Sequence, residues 1–120
     1  MAEPIKALVG AGAINAGLSV AAGAFVAHAL KDRLEPRALE VFETAARYHM
    51  VHALAMLLCA VIATSAARTS GWLFQIGIVL FSGSLYALAL SDVKLLGAIT
   101  PVGGLAFLAG WAWLAFRSLT

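Results

Sequence analysis

The sequence predicts an all-α integral membrane protein: an antiparallel, up-and-down four-helix bundle with a short amphipathic helical connection between its first two spans. Three observations lead there. Residues 7–30, 48–67, 69–91 and 95–116 carry no Asp, Glu, Lys or Arg, and about 20 apolar residues at 1.5 Å rise cross the roughly 30 Å of bilayer hydrocarbon. Hydrophobic residues make up 62% of the 120-residue chain and charged residues 12%, where an ordinary soluble domain is about 25% charged. The mean hydropathy of +0.94 leaves too little polar surface to face water. Unbroken apolar runs also exclude the alternating pattern of a barrel strand, so the backbone must pair within helices. The chain therefore reads as one transmembrane domain over residues 1–120, with spans at 7–30, 48–67, 71–91 and 96–116 and the amphipathic connection at 31–47.

The first span follows Lys6, and Ala27-His28-Ala29 has the shape of a cleavage site. Its apolar run is far longer than the about 7–15 residues of a signal-peptide core, so a retained anchor is expected. Gly12, Ala16, Ser19, Gly23 and Ala27 form a stripe of very small side chains around a mid-span Asn15. Such a stripe lets two helices approach closely while a buried amide bonds across the contact, so Gly12, Asn15, Ala16 and Gly23 are expected to serve helix packing.

The connection carries Lys31, Asp32, Arg33, Glu35, Arg37, Glu40, Glu43 and Arg47, nearly balanced in sign. Pro36 suits a first helical turn, where its missing N–H costs nothing. Beyond it Leu39, Phe42, Ala46, His49 and Ala53 recur at helical spacing, with Arg37, Glu40, Thr44 and Arg47 on another face. Glu43 stands four residues before Arg47 and can pair with it. A helix starting near Pro36 either lies in the interface or runs straight into the second span, and no breaker interrupts the second course.

Cys59, the sole cysteine, rules out an internal disulfide and reads as a small buried side chain in the second span. The second and third spans are joined by a few residues around Arg68, Ser70 and Gly71, and the third and fourth by Asp92-Val93-Lys94. Connections this short make sequential spans antiparallel neighbours. In the third span Ser82-Gly83-Ser84 precedes Tyr86. In the fourth, Pro101 starts or kinks the helix, and Gly97, Gly103, Gly104 and Gly110 act as packing notches; no Lys follows them in phosphate-loop spacing. Trp72, Trp111 and Trp113 map to one side and read as an interfacial aromatic belt.

The eight Lys and Arg are scattered, with no block of like charge despite the formal charge of +2, so nucleic acid is not an expected partner. Lys31, Arg33, Arg37, Arg47 and Lys94 fall on one side and Lys6, Arg68 and Arg117 on the other. This bias favours both termini outside and the charged connection in the cytoplasm.

With that threading His28, His49, His52, Tyr86, Ser91 and Thr100 gather in the leaflet of the charged connection, while the opposite half is almost wholly apolar apart from Thr64, Ser65, Gln75 and the terminal residues. A polar group in hydrocarbon is a functional pointer because leaving it unpaired is costly. His49 and His52 share one helix face, with His28 at similar depth on the neighbouring span. Imidazoles in such a cluster can bond to loops, headgroups or each other, relay protons, or ligate zinc or haem iron. No carboxylate or cysteine accompanies them at metal-ligand spacing, so no cofactor or metal is expected.

Several strings also resemble a known family when taken together: Gly23-Ala24-Phe25-Val26-Ala27-His28-Ala29-Leu30, Thr44-Ala45-Ala46-Arg47-Tyr48-His49-Met50-Val51-His52-Ala53-Leu54, Leu80-Phe81-Ser82-Gly83-Ser84-Leu85-Tyr86 and Leu96-Gly97-Ala98-Ile99-Thr100-Pro101-Val102-Gly103-Gly104. The chain resembles, over nearly its whole length, the YgdD/YwdK-like small membrane proteins, domain of unknown function four-two-three. Val26 stands where that family usually has glycine. The resemblance implies a multi-pass protein of the bacterial inner membrane and assigns no biochemical activity.

The expected function is a non-enzymatic, self-associating bundle that binds a lipid, a quinone or a partner membrane protein through His28, His49, His52, Tyr86 and Thr100. The alternatives are a small transporter or proton-relay oligomer and a haem- or metal-binding redox subunit. No Ser/His/Asp ordering and no paired intramembrane carboxylates point to hydrolysis.

Overall fold

A computed structural model describes residues 3–120 as four helices joined by tight turns. We label them α1 (Lys6–Leu30), α2 (Pro36–Ile62), α3 (Ser65–Ser91) and α4 (Lys94–Leu119); each is long and apolar enough to cross a membrane. The molecule measures 49 × 26 × 18 Å, so its long axis exceeds the roughly 40–45 Å of a bilayer with its headgroups. Large apolar side chains such as Ile14, Val61, Leu105 and Leu108 stay exposed on the outside, as expected where lipid tails are the solvent.

The amphipathic connection is not a separate element. Pro36 begins α2 behind an extended Glu35, and the helix continues without interruption to Ile62. The turn into α3 comes earlier than the hydropathy runs indicated. Ala63 takes a left-handed conformation (φ 59°), its N–H bonded to the Cys59 carbonyl, and the Thr64 hydroxyl caps α3 by accepting from the Ala67 N–H. A capping hydroxyl outweighs apolarity here, and Arg68, Ser70 and Gly71 move from the expected loop into α3. The uncharged part of α2 then shrinks to residues 48–62, about 22 Å of helix. That falls short of the hydrocarbon thickness, and long side chains such as Arg47 can make up the difference by snorkelling.

Neighbouring helices meet with residue numbers running in opposite senses. Ile5, Gly12 and Phe25 face Ala60, Ala53 and Phe42 across α1 and α2. Phe74, Ser82 and Tyr86 of α3 face His52, Ala45 and Phe42 of α2, and Ser70, Gly77 and Ser84 face Gly110, Phe107 and Thr100 of α4. α1 packs mainly on α2, and α4 mainly on α3. Two apolar clusters fill the interior. One centres on Leu8, Met56, Cys59, Phe74, Ile78 and Phe107, and the other, near the charged end, on Val26, Leu30, Phe42 and Ala89.

The expected packing residues differ in what they touch. A Cβ on Gly12 would lie 2.9 Å from Leu57, one on Gly110 would lie 2.6 Å from Phe74, and one on Gly103 would collide with the backbone of Phe81. Gly23 has no atom within 4 Å of that position, so inside this bundle it is not a contact notch. Ala16 is half-buried, its carbonyl accepting from Ser19.

Two single π-turns interrupt the regular helices, at Val26–Leu30 in α1 and Ile78–Ser82 in α3. Each admits one extra residue and locally opens the carbonyl ladder, a feature common at functional sites.

Candidate functional site

Asn15, buried in the middle of α1, is where the polar interior begins. Its amide nitrogen donates to its own helix at the Ala11 carbonyl (2.8 Å) and to Oε1 of Gln75 on α3 (2.8 Å). With that nitrogen committed as donor, Asn15 Oδ1 must accept, and its partner at 3.0 Å is Nε2 of His49 on α2. His49 therefore carries its proton on Nε2, and Nδ1 accepts from the Tyr86 hydroxyl at 2.9 Å. One directed chain, Tyr86 to His49 to Asn15 to Gln75, links three helices. Gln75 and Tyr86 are eleven positions apart on α3, so the chain covers about 16 Å along the axis. It runs past mid-depth instead of staying in one leaflet.

His52 has the opposite tautomer and a different task. The Trp111 indole, which can only donate, bonds to Nε2 at 3.0 Å, so Nδ1 donates to the Tyr48 carbonyl at 2.8 Å. The imidazole stacks on Phe107 with ring centroids 3.5 Å apart. His52 thereby ties α2 to α4. Trp111 keeps its ring exposed while its indole N–H reaches inward to His52. Trp113 lies under the Arg117 guanidinium, 5.3 Å from its ring centre.

Of the five expected ligand-binding residues, the structure brings His49 and Tyr86 into direct contact. His52 is one helical turn away in its own network. Thr100 pairs with Ser84 at 2.6 Å, the Ser84 hydroxyl also reaching the Phe81 carbonyl, and so joins α4 to α3. His28 is exposed in the π-turn of α1. Gln75 and Asn15 belong to the site although neither stood among those five. The only signal for Gln75 was an amide stranded in an otherwise apolar half-span.

Beside this network, between α1 and α3, runs a lateral groove of about 790 Å3. Leu18, Ala22 and Phe25 form one wall, Ile78, Val79 and Gly83 the other, and Asn15, His49, Gln75 and Tyr86 line its polar strip. A second cavity of about 730 Å3 lies at the charged end, lined by Arg33, Glu35 and Arg37 from the α1–α2 turn and the start of α2, and by Ser91, Asp92 and Lys94 around the α3–α4 turn. Leu90 lines both.

Chemically, the network positions groups more readily than it moves protons. Tyr86 and His49 can exchange a proton, but the Asn15 and Gln75 amides beyond them neither take up nor release one near neutrality. Both nitrogens of His49 and of His52 are engaged, so neither imidazole can offer a lone pair to a metal without breaking a bond. Among the described residues no group of three or more His, Cys, Asp or Glu stands close enough to hold a metal ion.

Comparison with known proteins points one way. Residues 22–104 match the model of the family described as protein of unknown function DUF423. The chain is similar to the UPF0382 membrane protein YwdK of Bacillus subtilis, 46% identical over 120 residues that cover 96% of this chain and 98% of the relative. It is also similar to a UPF0382 membrane protein of Staphylococcus epidermidis, 43% identical with 96% and 97% covered, and to one of Staphylococcus saprophyticus, 44% identical with 92% and 94% covered. No solved structure matches.

Proposed function

The chain belongs to the DUF423 family of membrane proteins, and we propose that it works as a non-enzymatic binding protein holding the apolar chain of a lipid or quinone in the groove between α1 and α3. The observation that carries this reading is the shape of that groove. Between Gln75 and Leu90 it runs about 22 Å along α3. Its volume is about 790 Å3, and it stays open to the lipid side along that length. A long, narrow-walled apolar groove open to lipid suits a flexible apolar chain. The walls are apolar, and in the polar strip Asn15, His49 and Tyr86 already bond to one another; Gln75 spends only its oxygen on Asn15, which leaves its amide N–H groups to meet a polar atom of the bound chain.

The protein sits in the bacterial inner membrane with both termini outside. What supports this is the excess of Lys31, Arg33, Arg37, Arg47 and Lys94 at one end over Lys6, Arg68 and Arg117 at the other.

Gly83→Leu tests the reading. A Cβ at Gly83 meets only the Ile78 carbonyl, at 3.8 Å, so the new side chain grows into the groove without disturbing the bundle. Native mass spectrometry of the variant should show loss of a co-purifying lipid or quinone, with thermal stability unchanged. Retention of the same ligand, or a groove cross-linked to a second protomer, would overturn the proposal.

A further inference from the structure

We propose that the charged cavity at the end of the bundle binds the head group of an anionic phospholipid whose acyl chain occupies the groove; the inference rests on the groove reading above and adds the ligand's chemical class. Its first support is continuity. Leu90 is a wall of both cavities, so an interfacial chamber with mixed polar lining adjoins, across that one side chain, an apolar slot that runs toward mid-membrane. That is the outline of one amphiphile, with its head at the interface and its chain inward.

The second support is charge. Arg33, Arg37 and Lys94 face Glu35 and Asp92 around the chamber, three cations to two carboxylates, which leaves one net positive charge for a phosphodiester to neutralise. Two guanidinium groups suit phosphate oxygens because each presents paired N–H donors in a planar fork. A neutral head group would leave that excess charge uncompensated.

The third support is rigidity. The Arg33 and Leu34 amides both bond to the Leu30 carbonyl at 3.0 Å, closing the turn that carries Arg33. On the other side the Asp92 amide bonds to the Leu88 carbonyl at 2.8 Å, and the Ser91 hydroxyl accepts from the Val93 amide at 3.3 Å. The turn that carries Arg33 and the turn that leads into Lys94 are thus held by local bonds, and Arg37 is fixed in the first turn of α2, which lowers the ordering cost of binding.

Binding of phosphatidylglycerol and phosphatidylcholine with identical acyl chains, measured on the purified full-length protein in detergent, tests the proposal. The wild type should prefer phosphatidylglycerol. Each cation removed, as Arg37→Gln or Lys94→Gln, should weaken that lipid about fivefold and phosphatidylcholine by less, so that the preference between the two narrows. Glu35→Gln should strengthen phosphatidylglycerol binding, a gain that misfolding cannot produce. Gly83→Leu should weaken both lipids. Equal affinity for the two lipids in the wild type, with both lost in Gly83→Leu, would overturn the head-group site and leave the groove standing. Unchanged binding in Gly83→Leu would overturn the groove itself. Inorganic phosphate that binds as tightly as phosphatidylglycerol would make this a free-phosphate site and end the lipid assignment.

Discussion

Asn15 shows how much one amide can decide inside a membrane. It joins α1 to His49 on α2 and to Gln75 on α3, where hydrocarbon offers no substitute partner. Interhelical hydrogen bonds in membrane proteins average about 0.6 kcal/mol each, and a stranded buried donor costs about 1–3 kcal/mol. Asn15→Leu removes two such bonds and strands the His49 Nε2 proton, so it should destabilise the bundle by about 1–2 kcal/mol or more. Tyr86→Phe removes one bond and strands only the His49 Nδ1 acceptor, so it should cost less, about 1 kcal/mol. Unfolding in mixed micelles measures both; equal losses, or a larger one for Tyr86→Phe, would show that the network is not centred on Asn15. At this scale the sequence was partly legible. His49, Tyr86 and Asn15 stood out because polar groups are rare in apolar spans. Their bonding did not, because it depends on which faces of three helices turn inward. His28 and Thr100 share the same approximate depth, yet one is exposed and the other pairs with Ser84.

Between the elements, local backbone chemistry sets the boundaries. The Ala63–Thr64 turn illustrates it: hydropathy carries the second span through Ala67, whereas a left-handed Ala63 and the Thr64 cap end it at Ile62. A left-handed conformation costs a residue with a Cβ about 1 kcal/mol relative to glycine. Ala63→Gly should therefore stabilise the protein by about 1 kcal/mol, and Thr64→Ala should destabilise it by a similar amount through loss of the cap. If denaturation midpoints move the other way for either variant, the turn has been placed wrongly. The opposite end of α3 closes in the same manner, with Asp92 left-handed at φ 57°. There the Asp92-Val93-Lys94 connection was readable, because charge interrupts the apolar run at the same point as the cap. The π-turns had no sequence signal: one extra residue in a helix leaves hydropathy and length unchanged.

The molecule as a whole is a bundle whose outer helices, α1 and α4, pack on the inner pair. This leaves one side of α1 and α3 to border the groove, and it puts Arg33 and Asp92 around one cavity at one end. Cys59 is buried and is the only cysteine, so a Cys59→Ala background gives clean labelling. Arg33→Cys and Asp92→Cys should both react with a membrane-impermeant reagent from the cytoplasmic face, and Arg68→Cys from the outer face. Labelling of Arg33→Cys and Asp92→Cys from opposite faces would sink both the threading and the charged cavity. The family resemblance, carried by strings from four parts of the chain, was readable before any packing was known, and the DUF423 match agrees with it.

Composition and run length by themselves determined that this is a membrane protein of four helices, because the transfer of apolar residues into hydrocarbon is additive along the chain and insensitive to what each side chain touches. Only the tertiary structure decided which polar residues meet, since hydrogen bonds need atoms from different helices within about 3 Å of one another. For the same reason the groove and the charged cavity beside it were invisible in the sequence. They are spaces between helices, bounded by side chains that stand far apart in the sequence.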